Sequence, residues 1–104
     1  MFRVTGRLIA AARALTGVSR ETFAAACELT EDDICRLEAG GSAWVTSETE
    51  AEAVSRGLSH FGVLVLDEEE GLGAGVRLKF TRADVRQIAR LETEGGIVAS
   101  DDAP

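Results

Sequence analysis

Apolar positions along the chain recur first at helical spacing and then, beyond residue 62, at strand spacing. Leu8, Ile9, Ala12 and Leu15 fall at i, i+1, i+4 and i+7, one face of a helix predicted from Arg3 or Thr5 to Thr16. Arg7 and Arg13 lie off that face, and Gly17 stops the helix. Ser19 is a suitable N-cap for a second helix, Arg20 to Cys27, with Phe23 and Cys27 one turn apart on its inward side. Thr30 caps a third helix, Glu31 to Ala39, in which Asp33 makes a capping-box-like pair with it. Ile34 and Leu37 supply its buried face, and Gly40-Gly41 ends it. Ser47 opens a fourth helix with Glu50 at N3, a Ser-x-x-Glu capping box; Ala51, Val54, Leu58 and Phe61 form its stripe and Gly62 its stop. Trp44, in the preceding connection, is expected to plug the gap between the third and fourth helices.

The period then changes. Val63-Leu64-Val65-Leu66 is a continuous apolar run, as in a strand covered on both faces, and Val76-Arg77-Leu78-Lys79-Phe80 alternates as a half-buried strand does. The acidic, glycine-rich stretch 67–75 between them reads as a hairpin loop. Its Gly71, Gly73 and Gly75 lack the strand-loop-helix setting of a nucleotide site. Thr81 caps a last predicted helix with Asp84 at N3 and Val85, Ile88 and Leu91 on one face; residues 94–104 carry no pattern and are expected to form a mobile tail. The predicted fold is mainly α, four to five helices with a short β-hairpin and a C-terminal helix. Residues 1–62 form the helical domain and residues 63–93 a hairpin plus helix suited to dimerisation.

At 104 residues the chain is expected to be one domain, or one compact domain with an added oligomerisation piece. No apolar run reaches the roughly 18 residues that span a bilayer, and the N-terminus is too polar for a signal peptide, so a cytoplasmic protein is expected. Cys27 and Cys35 are too few for a disulfide framework, and with His60 standing alone they match no zinc pattern. Both are expected to be reduced and largely buried. No catalytic constellation, metal site or cofactor motif is present, which argues against an enzyme. The net charge of −7 argues at first against nucleic acid as a partner. Its distribution softens that objection: residues 1–46 carry five arginines against six acids, whereas residues 47–70 carry one against seven.

The second and third predicted helices, with their tight connection, have the size and spacing of a helix-turn-helix. The stretch Arg13-Ala14-Leu15-Thr16-Gly17-Val18-Ser19-Arg20-Glu21-Thr22-Phe23-Ala24, with Leu29-Thr30 and Ile34-Cys35-Arg36-Leu37-Glu38-Ala39-Gly40, resembles the Xre/Cro/C1-type, phage-repressor-like family of transcriptional regulators. The resemblance covers about residues 7–62 and implies a lambda-repressor-like DNA-binding domain. It implies phosphate contacts from Ser19 and Arg20, and it places Thr30, Glu31, Asp32, Asp33 and Arg36 on the exposed side of a recognition helix in the major groove. It also implies a structural salt bridge between Arg13 and Glu38. Two positions depart from the pattern: Glu28 stands where the turn usually has Gly, and Glu31-Asp32-Asp33 where polar or basic residues are usual. Such acids can serve the helix dipole and cap, accept a hydrogen bond from cytosine N4, or weaken binding by facing phosphate.

The resemblance implies a dimeric, sequence-specific repressor on near-palindromic double-stranded DNA. Val63, Leu64, Val65, Leu66, Val76, Leu78 and Phe80 are the candidate dimer contacts, because a lone hairpin cannot cover that much apolar surface. Alternatively, helices of the same chain cover both faces. The partner is then a second copy or a homologue; no membrane and no small-molecule ligand is expected. A rival reading keeps the scaffold without useful DNA affinity, as a protein-interaction module or the antitoxin half of a pair.

Overall fold

The computed structural model describes residues 2–81. In chain order these form α1 (Gly6–Thr16), α2 (Arg20–Cys27), α3 (Glu31–Ala39), α4 (Glu48–His60), β1 (Val63–Leu66) and β2 (Gly75–Leu78). The predicted last helix, with Val85, Ile88 and Leu91, and the predicted tail 94–104 lie outside the described residues.

Each helix begins on a hydroxyl that accepts an otherwise unpaired backbone N–H. Thr5 Oγ1 accepts from Leu8, Ser19 Oγ from Thr22 and Ser47 Oγ from Glu50, each at 3.1 Å. Thr30 Oγ1 accepts from the Asp33 N–H while Asp33 Oδ2 accepts from the Thr30 N–H, both at 3.0 Å, a reciprocal capping box. The box expected at Ser47 is only half formed. Glu50 turns its carboxylate away from the cap, toward Arg36 on α3.

Ile9, Phe23, Cys27, Ile34 and Val54 meet in the centre of the four helices, with Val4 entering from the extended N-terminal segment. Two glycines set the helix crossings. A Cβ on Gly6 would lie 2.1 Å from the Leu37 carbonyl oxygen, and one on Gly57 would lie 2.3 Å from Cys27 Sγ. α1 therefore runs tight on α3, and α4 tight on α2. Leu15, expected on the buried face of α1, is 44% exposed, because the last turn of the helix extends past the edge of the core. Trp44 does not plug the gap between α3 and α4. The Val45 N–H donates to the Val4 carbonyl at 2.9 Å and Trp44 pairs with Thr5, so the indole is turned outward beneath the Arg3 guanidinium.

β1 and β2 pair antiparallel with Val63 opposite Leu78 and Val65 opposite Val76. These four side chains face the helices, and Val63 belongs to the same core as Ile9 and Phe23. The hairpin is thus packed on α1 and α4. Leu64 and Leu66 point the other way and are 46% and 45% exposed, so among the described residues β1 is covered on one face only. A continuous apolar run predicts two covered faces; among the described residues nothing covers the second. Phe80 lies beyond the end of β2 against Gly62, which takes φ +70° and, lacking a Cβ, leaves room for the ring. At the tip, Glu69 and Leu72 exchange backbone hydrogen bonds at 2.9 and 3.2 Å around Glu70 and Gly71, both at positive φ. This is the turn geometry that matches strand twist. Among the described residues no helix is long and apolar enough to cross a membrane.

Candidate functional site

α2 ends on Glu28, which adopts φ 62° and ψ 37°. Its N–H donates to Ala25 O and that of Leu29 to Ala24 O, closing the last turn of the helix. A glycine would take this conformation without strain; the glutamate costs about 1 kcal/mol. The chain then passes through Leu29, partly buried against the core, to the Thr30 cap of α3. The connection between α2 and α3 is therefore short and closed by hydrogen bonds at both ends.

A three-residue charge cluster holds the pair in place. Glu38 on α3 accepts from Arg13 Nε at 2.6 Å and Nη2 at 3.0 Å, and from Arg20 Nε at 2.9 Å. Arg13 Nη1 also donates to the Val18 carbonyl at 3.2 Å. The expected Arg13–Glu38 pair is present, and Arg20 adds a third helix to it. The Glu38 side chain is only 6% exposed. Burial works to raise its pKa, but the hydrogen bonds from Arg13 and Arg20 outweigh that and leave the carboxyl below its ordinary range. Arg20 thus spends its Nε on Glu38, with its side chain still 45% exposed.

The outer side of α3 is open to solvent from Thr30 to Arg36, except where α4 reaches it. There Glu50 takes both terminal nitrogens of Arg36, and Asp33 Oδ1 lies 3.3 Å from Nη2. Asp33 has a further duty in the cap. The backbone N–H of Thr30, together with its hydroxyl and Arg36, holds the carboxyl below its ordinary range. Glu31 and Asp32 are exposed and make no ion pair among the described residues. Of the three acids expected on this surface, one is therefore internal to the helix terminus and two are free. Ser19 Oγ, besides capping α2, lies 3.0 Å from the Thr22 hydroxyl. Sequence spacing marked Glu50 only as a capping-box residue and gave no sign of its contact with Arg36, which lies on another helix.

Cys27 is buried beneath Gly57, and burial pushes its thiol up to about 11. Cys35 is exposed on α3, contrary to the expectation that both thiols would be covered, because position 35 faces away from the Ile34–Leu37 stripe. Among the described residues no group of three His, Cys, Asp or Glu side chains is placed to hold a metal ion. No protein-family profile matches the sequence, and no curated protein does.

Proposed function

We propose that this chain is a sequence-specific DNA-binding regulator of the Xre/Cro/C1 helix-turn-helix type, acting as a dimer and repressing by occupying its site. The observation that carries the reading is the α2–α3 pair, locked to α1 through Glu38 with the outer side of α3 left open. A helix carried rigidly and exposed along one side is what insertion into a major groove requires. α3 lies in the groove, Ser19 and the free edge of Arg20 meet phosphates, and Thr30, Glu31, Asp32 and Arg36 face base edges. With Asp33 engaged at the cap, Glu31 and Asp32 are the carboxylates left to accept from cytosine N4. Pairing of two hairpins through Leu64 and Leu66 supplies the two-fold axis.

One observation favours a second reading. Arg20 and Arg36 are both held by carboxylates of their own chain, so the α3 surface offers more negative than positive charge. A scaffold that meets a basic protein partner through α3 fits that surface.

Selection of bound fragments from random duplex DNA by the purified chain, with its mass in solution measured alongside, separates the two. Enrichment of a near-palindromic sequence by a dimer supports DNA recognition. Absence of any complex at low salt would sink it and leave the protein-partner reading.

A further inference from the structure

We infer that the groove between the start of α1 and the hairpin, walled by Arg3, Arg7 and Trp44, seats a backbone phosphate of the bound nucleic acid. The inference rests on the DNA-binding reading and adds to it a contact that the α2–α3 unit does not contain.

Arg13 and Arg20 are bound to Glu38, Arg36 to Glu50 and Asp33, and Arg56 lies 3.8 Å from Glu28. Arg3 and Arg7 have no carboxylate within salt-bridge distance among the described residues, and both are exposed. Arg77 and Lys79 are also without such a partner. Arg77 lies opposite outward-facing Leu64, however, and Lys79 reaches over Phe80, so neither lines this groove.

The two arginines of the groove are positioned. The Arg3 guanidinium lies 3.9 Å from the centroid of the Trp44 ring, which fixes its plane and leaves its N–H edges for an anion. Arg7 sits in the first turn of α1, and its backbone N–H donates to the Gly41 carbonyl at 2.9 Å. A Cβ on Gly41 would lie 4.0 Å from Arg7 Nη2, so the guanidinium lies beside the turn that ends α3. Gly6 presses on Leu37 and Glu38 at the same place. The Arg7 end of the groove therefore flanks the C-terminal end of α3, beside the strand that would border the major groove with α3 seated in it.

The groove has a volume of about 530 Å³, with Thr5, Ser42 and the apolar surface of Leu8 and Val76 among its lining. Glu68 of the hairpin loop lines it as well, and repels an anion toward the arginine wall. A phosphate fits this arrangement better than an extended acidic peptide. Both cations belong to the wall of the groove, and the remainder of its lining is apolar, hydroxyl-bearing at Thr5 and Ser42, or carries Glu68.

The test uses the full chain and the best duplex from the selection, with affinity measured across salt concentration. Arg7→Gln and Arg3→Gln are each expected to lower the slope of log affinity against log salt by about one and to weaken all sequences alike, leaving base preference intact. Glu68→Gln, which removes the opposing charge, is expected to tighten binding. Trp44 is the only tryptophan in the chain, so its emission should change as duplex saturates the protein. An unaltered slope in Arg7→Gln, or unchanged Trp44 emission at saturation, overturns the seat while DNA binding stands. Failure of the parent chain to bind any duplex overturns both.

Discussion

Glu38 shows how one side chain sets the angle of α3. It is nearly enclosed, yet ionised, because two guanidinium groups replace the water it loses. Glu38→Gln should cost about 1–3 kcal/mol, since Arg13 would be left part-buried without its counter-charge; the urea midpoint at pH 7 measures it. The sign with pH follows from the depressed carboxyl. Its contribution is full above the ordinary value of 4.5 and is lost as pH falls through the lower folded value. The parent chain should therefore lose stability on acidification, and Glu38→Gln should show a shallower loss. Glu28 acts in the opposite sense. Glu28→Gly removes left-handed strain and should raise stability by about 0.5–1 kcal/mol in the same denaturation assay. Both positions were legible in the sequence, one as half of an expected pair and the other as a departure from glycine. The attachment of Arg20 to Glu38 was not, because sequence spacing alone does not fix where separate helices come together.

Among the elements, the helix boundaries followed closely from caps and stops, since Thr5, Ser19, Thr30 and Ser47 each bind the backbone within their own turn. Contacts between elements were harder to read. Glu50 has the spacing of a capping-box residue, but the nearby Arg36 on α3 offers it a charged partner instead. Trp44 has the size of a core residue, but strand-like pairing of Trp44 with Thr5, and of Val45 with Val4, turns it outward. Glu50→Gln releases Arg36 from its strongest carboxylate and should tighten DNA binding by up to about fivefold in a titration, with little change in stability. Weaker binding in that variant would mean that Glu50 orients Arg36 for contact instead of withholding it.

Across the whole molecule, the hairpin and helices share one core through Val63, Val65, Val76 and Leu78, so residues 63–78 complete the helical unit as well as offering a surface. That surface is the outward pair Leu64 and Leu66. Leu64→Lys, at a half-exposed position, should leave the fold intact, convert a dimer to a monomer by mass in solution, and weaken binding to a two-fold site. A parent chain that is already monomeric would remove the hairpin from the account of assembly. The net charge of −7 gave little guidance at this scale. What matters is placement: among the described residues four arginines face acids of their own chain, and Arg3 and Arg7 do not.

The central claim, that α3 and its flanks meet duplex DNA, is tested most directly by mapping backbone amide shifts of the full chain as a selected duplex is added. The account predicts the largest changes at Ser19–Thr22, Thr30–Arg36 and Gly40–Trp44. Changes confined to the hairpin, or none at low salt, would contradict it.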